Sequence, residues 1–372
     1  MLALLLLACD PEGPKESAEV PFDCEASGNI CTWAGNGMAG LGAEGAKADE
    51  TFFYLPQDLT FGPDGNAYVL DWNNHRVRQI LTADHTIHTV AGTGELGDGP
   101  EGPATTARFN HPTNIAFRGD GLMFIAAWHN SRVITVDLAT NDLKFFCGDG
   151  KRKFSGDGGP CNVAQLDLPS AVAFDADQNL YVTDMANQRI RRVTPDGVIN
   201  TWGFTGEAGY GGDGGPVSTA QMHATKGQAA DPANRIVISG NFLYMADTEN
   251  HCIREVDLTT GIVETVAGKG SAGTLGDGGP ATEAQLFLPR DVAVGPDGEL
   301  YIADTDNSCV RMVDTAGTIS TVAGICGQPG YEGDGASAKE ALLQHPFGIE
   351  LDSAGNLYIA DTYNNVIRIV KK

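Results

Sequence analysis

An aspartate and an arginine stand seven residues apart in Asp71 and Arg78, and the same couple returns as Asp184 with Arg191, Asp247 with Arg254, Asp304 with Arg311, and Asp361 with Arg368. A carboxylate beside a guanidinium could bind a polar substrate or shift a catalytic pKa. The repetition argues for a structural pair instead. With a short turn between them the two side chains fall on one face of a hairpin, within reach of a charge-assisted hydrogen bond. A further copy has lost both members together, at Ala127 and Ile134. Joint loss is what a buried pair predicts, because removing one partner strands the other charge. Histidine is the second chemical candidate. His111 and His345 each precede a proline and His223 stands in a related stretch, so three imidazoles from alternate units could form a zinc site. No C-x-x-C pair, P-loop or G-x-S-x-G elbow is present, and those absences leave zinc ribbons, phosphate loops and serine hydrolase chemistry without a motif.

These residues sit in a phrase that occurs six times, beginning at Tyr68, Phe124, Tyr181, Tyr244, Tyr301 and Tyr358. From Asp71 to Ala127, Asp184, Asp247, Asp304 and Asp361 the steps are 56, 57, 63, 57 and 57 residues, a period that marks a repeat fold. One unit reads as four short strands. Residues 288–295 form the first, Leu300–Asp304 the second, Cys309–Asp314 the third and Thr318–Ala323 the fourth, with Asp297-Gly298 and Ala316-Gly317 as turns. The strands are rich in Val, Ile and Tyr and apolar on both faces, as sheets packed face to face require. Six such units predict an all-β, six-bladed β-propeller of four-stranded antiparallel blades. The sixth unit ends at Lys372 without a fourth strand, and Ile30–Gly35 matches the missing strand in form. It is expected to complete the last blade and remove an exposed sheet edge.

The Pro-x-x-(Ile/Val)-Ala start, the Asp-Gly turn, the Tyr-(Ile/Val)-Ala-Asp-x-x-Asn centre and the (Ile/Val)-Arg end resemble the NHL-repeat family over residues 30–372. Gly276-Asp-Gly-Gly-Pro-Ala resembles the interblade loops of bacterial and teneurin-like NHL propellers, with related phrases at Gly97-Asp98, Gly156-Asp157, Gly212-Asp213 and Gly333-Asp334 and a departure at Gly42-Ala-Glu44. The resemblance implies a six-bladed ring and names no activity, since propellers serve as scaffolds, receptors and lyases. Peptide-amidating lyases, which resemble this fold, carry zinc histidines just after the proline. Here those places hold Gln57, Thr113, Ser170, Arg290 and Phe347, with Lys226 in the fourth unit, so no catalytic metal and no cofactor are expected. His111, His223 and His345 stay as the alternative.

The net charge of −24 repels phosphate backbones and anionic bilayers, which excludes nucleic acid as an expected partner. Met1–Cys9 resembles the end of a bacterial lipoprotein signal, which makes Cys9 the lipidated residue and residues 10–29 an acidic tether ahead of a propeller over 30–372. The expected place is therefore the bacterial cell envelope, lipid-anchored, with secretion as the alternative. An oxidising compartment suits disulfides between Cys147 and Cys161, Cys309 and Cys326, and Cys24 and Cys31, leaving Cys252 free.

Loops on a rigid scaffold are the usual home of recognition. The interblade loops and the turns between second and third strands emerge on one face, and the turns vary by unit: Trp72, Asn73 and His75, then Trp128 and His129, then His251, then Tyr363. These are the candidate binding residues. The expected function is that of a monomeric, noncatalytic envelope lipoprotein whose propeller face binds a protein, peptide or glycan. The alternative is a metal-dependent lyase or lactonase with its site in the central channel.

Overall fold

A computed structural model describes residues 26–227 and 230–372. The segment 1–9 with Cys9, the tether up to residue 25 and Cys24 lie outside the described residues. Six antiparallel sheets form a ring. In blade one the strands are Pro56–Phe61, Ala67–Asp71, Arg76–Ile80 and Ile87–Ala91, in order from the inside outward. Blade six consists of Pro346–Leu351, Leu357–Asp361, Val366–Val370 and, from the other end of the chain, Asn29–Ala34. The closing strand pairs Ile30 with Val370, Cys31 with Ile369 and Thr32 with Arg368.

The strands are short because each spans only the thickness of the ring. Second strands such as Leu357–Asp361 and Met123–Ala127 are buried at every position, so the usual alternation of apolar and polar residues disappears. The core lies between blades. Tyr68 and Leu70 of blade one pack with Ile115, Met123 and Ile125 of blade two. Ile30 packs against Ala293 and Val310 of blade five, while Cys31 and Ala34 pack against Leu59 and Val69 of blade one. The closing strand is thus clamped on both sides.

Four blades carry an outer strand beyond the four expected. Interblade loops lay two residues, Gly102–Pro103, Gly159–Pro160, Gly215–Pro216 and Ala336–Ser337, along the outermost strands of blades two, three, four and six. A Gly-Pro or Ala-Ser dipeptide carries no strand signal of its own. Each loop begins at a tight crossing. At Gly92 and Gly324, both with positive φ, an added Cβ would lie 2.3 Å from the His75 carbonyl oxygen and 2.7 Å from that of Ser308, so only glycine fits there.

The repeated Asp and Arg meet as a buried pair, at 3.1 Å for Arg191 with Asp184, 3.4 Å for Arg254 with Asp247, 3.5 Å for Arg368 with Asp361, 3.8 Å for Arg311 with Asp304 and 4.0 Å for Arg78 with Asp71. Each Arg also reaches the acidic residue of an interblade loop, and all five of these contacts are closer than the inner pair: Asp157 at 2.6 Å, Asp213 at 2.7 Å, Asp277 at 2.5 Å and Asp334 at 2.6 Å, with Glu44 at 3.6 Å in the divergent first loop. The Gly-Asp-Gly-Gly phrase therefore supplies a second counter-ion that ties loop to blade. In blade two, where Ile134 replaces the Arg, Asp98 turns to Arg132 at 3.5 Å and to Asn130 at 3.1 Å. Burial pushes the inner carboxyls up, to about 6 at Asp184 and about 7 at Asp304, against the pull of their hydrogen bonds and arginines.

Disulfides join Cys147 with Cys161 and Cys309 with Cys326. Cys31 is also disulfide-bonded. Cys252 is a buried thiol whose surroundings hold its pKa well above the usual range. Among the described residues no helix is long and apolar enough to cross a membrane.

Candidate loop-face binding site

Each second strand ends in an aspartate or, in blade two, Ala127, followed by a three-residue 3-10 turn and a left-handed residue: His75, Ser131, Gln188, His251, Ser308 and Asn365, with φ between 51° and 56°. Five of these left-handed side chains reach the next blade. His75 Nδ1 accepts from the His111 amide at 3.4 Å, Gln188 Oε1 from Ala224 at 2.9 Å and His251 Nδ1 from Leu288 at 3.2 Å. Ser308 Oγ accepts from His345 at 3.4 Å and Asn365 Oδ1 from Leu55 at 2.9 Å. His75 and His251 thus serve as latches between blades. To accept at Nδ1 both must be neutral, and burial lowers the pKa of each in that direction.

The first aromatic group forms around His111. Its ring lies 4.6 Å from that of Trp72, 4.6 Å from His75 and 5.1 Å from His129. Its Nδ1 meets Asn110 Oδ1 at 2.8 Å, its Nε2 meets Asn73 Oδ1 at 3.3 Å, and burial beside the other two imidazoles pushes it down to about 4. Trp128 stacks on His129 at 4.0 Å. Trp128 is only 1 % exposed, packed with Leu168, Met185, Ala224, Ala230 and Ala233. That corrects its expected role as an exposed anchor. The longer chain between blades three and four, signalled by the 63-residue step, folds its alanines over the indole.

The second group centres on Tyr363, which is 44 % exposed. It stacks on His345 at 4.5 Å and lies 6.3 Å from Phe347. Beneath Phe347, with its guanidinium 4.7 Å from the ring, Arg290 donates to the Pro232 carbonyl at 2.5 Å and to Asp231 at 3.2 Å. Asp306 is held above the usual carboxylate range by burial, against Arg290 and His345 nearby. Reading turn by turn found Tyr363 and missed Arg290, Phe347 and Asp231, which come from other loops.

The three-histidine alternative is not assembled. His111 is surrounded by His75 and His129, His345 by Tyr363, and the His223 amide donates to Asp247 at 2.9 Å. Among the described residues the one triplet of potential ligands within reach of a common ion is Asp304, Cys309 and Cys326, and its cysteines are joined to each other. Lys226 also differs from expectation. It is exposed in the added chain, and blade four is entered through Asn234, left-handed at φ 58°, and Arg235.

Arg235 closes the channel below this face. It donates to Asp58 at 2.6 Å, Asp291 at 3.2 Å, the Gln57 carbonyl at 2.8 Å and the Thr113 carbonyl at 2.6 Å. Gly348 makes room for it: a Cβ there would lie 2.9 Å from the guanidinium and 2.5 Å from the Gln57 carbonyl. One arginine thereby links blade four to blades one, two and five.

The surface of the face is apolar in a regular way. Leu41, Leu96, Phe154, Tyr210, Leu275 and Tyr331, all exposed, give each of the six interblade loops one such side chain, two or three residues before its Asp or Glu. The arginines are covered by aromatics of this set, Arg191 by Phe154 at 4.8 Å, Arg254 by Tyr210 at 5.4 Å and Arg368 by Tyr331 at 5.2 Å. The spacing from the loop carboxylate was the available signal.

Residues 53–80 match the NHL repeat family model, and residues 270–330 match that of the Teneurin NHL domain. The chain is 29 % identical over 286 residues to Protein SUPPRESSOR OF QUENCHING 1, chloroplastic, of Arabidopsis thaliana, covering 73 % of this chain and 26 % of that protein. It is 26 % identical over 354 residues to Teneurin-m of Drosophila melanogaster, covering 87 % and 12 %, and 27 % identical over 301 residues to NHL repeat-containing protein 2 of Bos taurus, covering 71 % and 39 %. This chain therefore spans less than half the length of each. Among solved structures, a Bacteroides thetaiotaomicron protein of unknown function superposes with a TM-score of 0.67 at 19 % identity over 92 % of this chain and 75 % of that one. An auxiliary nutrient binding protein of Bacteroides ovatus gives 0.63 at 17 %, over 91 % and 75 %. Repeats and ring closure agree: the chain is a six-bladed β-propeller, and two of its segments match NHL family models.

Proposed function

We propose that this propeller is a noncatalytic recognition module of the bacterial cell envelope, held to a membrane through an acylated Cys9, that binds a protein, peptide or glycan on its loop face. The observation that carries the reading is the distribution of exposed apolar side chains. Eleven large ones are exposed among the described residues, and all except Phe242 stand in interblade loops or, for Tyr363, in a 3-10 turn. Apolar side chains gathered on one face of a rigid scaffold mark an interaction surface, and exposed tyrosines are typical anchors.

The test is capture from envelope extract on the immobilised ring. The triple variant Leu96→Asp, Leu275→Asp and Tyr363→Ala changes side chains 56 %, 69 % and 44 % exposed, so its melting curve is expected to follow the parent. Capture of the recovered component is expected to fall at least tenfold, roughly the loss of one or two anchor residues. Undiminished capture by the folded triple variant overturns the assignment of the loop face.

The anchor is tested separately. Two or more acyl chains hold a protein stably where one is marginal, so Cys9→Ser is expected to move the protein from the membrane fraction to the soluble one. Unchanged fractionation removes the lipoprotein part of the proposal and leaves secretion.

A further inference from the structure

On the side of Arg235 away from the loop face, the channel widens into a cavity of about 400 Å3. The pairing of first and second strands places Thr60, Ala116, Ala173, Val237, Ala293 and Glu350 at one level, opposite Tyr68, Phe124, Tyr181, Tyr244, Tyr301 and Tyr358. Small side chains at five of these six places leave the space open, and the sixth puts a carboxyl into it. Phe61, Phe117, Phe174 and Ile238 line the cavity one residue further along, towards the turns between first and second strands. All four keep partial solvent contact, whereas Asp58 and Arg235 at the floor are 4 % and 3 % exposed. The cavity therefore opens on the face opposite the loops.

Its floor is closed and satisfied. Asp58 accepts from Arg235, from Asn114 at 3.0 Å and from the Ile115 amide at 2.9 Å; Asp291 accepts from Arg235, from the Ile349 amide at 3.0 Å and from Val292 at 2.9 Å. Glu350 is different. It accepts from the adjacent Leu351 amide at 3.0 Å and faces Thr60 Oγ1 at 3.5 Å, and no salt bridge reaches it among the described residues. The charged and titratable groups around it are Asp58 from blade one, Asp291 from blade five, Arg235 committed to both, and Tyr358 on the neighbouring strand, whose hydroxyl donates to Asp352. Two carboxylates share one guanidinium beside a third carboxyl with no counter-charge.

We propose that this cavity binds an organic cation with an apolar body, the ammonium group seated at Glu350 and the body against the phenylalanines at the mouth. A carboxyl outside the Arg235 ion pairs, set among small side chains with phenylalanines at the mouth, suits such a ligand, and aromatic faces add attraction for a desolvated cation. A hard metal ion would require several free oxygens, and Asp58 and Asp291 are already spent on Arg235. Burial and the nearby aspartates push Glu350 up to about 8, so at neutral pH the acid holds a proton that the arriving cation displaces. The atoms balance: Glu350 releases one proton to solvent, and the cation takes up the carboxylate charge.

Calorimetry with benzyltrimethylammonium, whose charge does not titrate, against the neutral 2-phenylethanol tests the site. Affinity for the cation is expected to rise roughly tenfold per pH unit from 6 towards 8 and then level. Titration in two buffers of different ionisation heat at pH 6.5 is expected to show close to one proton released. Glu350→Gln keeps the shape, removes the charge, and is expected to cut affinity at pH 8 at least tenfold and abolish proton release while melting no lower than the parent. The loop-face triple variant is expected to bind the cation unchanged, which separates this site from the proposed recognition face. Absence of cation binding, equal binding of the alcohol, a flat pH profile, or a folded Glu350→Gln protein that binds like the parent overturns the proposal.

Discussion

A chain beginning at Gly40 is expected to melt at least about 10 °C below the parent or to aggregate. Removing Asn29–Ala34 takes away Ile30, Cys31 and Ala34, buried at 0 %, 4 % and 0 % exposure, and the whole ladder that covers Val366–Val370. Ile30 leaves an interface with blade five and Ala34 one with blade one, so both neighbours of the last blade lose packing. The lost apolar burial and hydrogen bonds amount to on the order of 5 kcal/mol, and for a domain larger than 250 residues each kcal/mol moves the melting point by about 2 °C. The exposed strand Val366–Val370, VIRIV, is also short of charge and rich in β-branched residues, a template for edge pairing. Thermal unfolding together with size-exclusion chromatography decides the matter. A monomer that melts with the parent would mean that the ring does not depend on its closing strand.

How much of this was legible in the sequence follows from which features repeat. The blades were, because Tyr, Asp, Asn and Arg recur at one period and each copy confirms the others. The second counter-ion of each Arg was half legible: Asp157, Asp213, Asp277 and Asp334 recur too, but Asp before Gly also signals a turn and hides the ionic task. The latches were not, because the geometry is constant while the residue varies through His75, Gln188, His251, Ser308 and Asn365. Only a left-handed backbone position unites them. Features that occur once were least visible. Arg235 and Asp58 stand 177 residues apart, and nothing local to either marks the other as its partner. Glu350 interrupts a level of small residues, which becomes apparent only when six first strands are laid around one axis. Trp128 and Tyr363 hold different places in matching turns: Trp128 leads its turn, where Met185, Thr248, Thr305 and Thr362 are buried as well, whereas Tyr363 stands second and is exposed.

Arg311→Ile is expected to destabilise by about 3–5 kcal/mol, and adding Asp304→Ala to recover most of that loss. The single change strands Asp304, fully buried, without its guanidinium, and an uncompensated buried charge has a cost of that size. It also frees Asp277, but that carboxylate is 44 % exposed and water can serve it. Blade two shows the chain tolerating the doubly neutral arrangement, with Ala127 and Ile134 at 0 % and 1 % exposure. There Asn130 Oδ1 accepts the Asn110 amide at 2.8 Å, the task Asp304 performs for Phe287 at 2.7 Å in blade five. Asn307 is placed to take over in the double variant as Asn130 does. The pH dependence has a definite sign. Burial holds Asp304 at about 7 in the folded protein, above its unfolded value of about 3.9, and loss of Arg311 raises it further. A carboxyl with a raised folded pKa contributes stability at low pH that disappears as pH rises through that pKa. The deficit of Arg311→Ile should therefore be smaller at pH 5 than at pH 8, whereas that of the double variant, which lacks the raised carboxyl the parent keeps, should shrink as pH rises from 5 to 8. Denaturant unfolding of parent, single and double variants at the two pH values measures all of these differences. A single-variant loss below about 1 kcal/mol, or a double variant no more stable than the single, would show that the recurring Asp and Arg are not an interdependent pair.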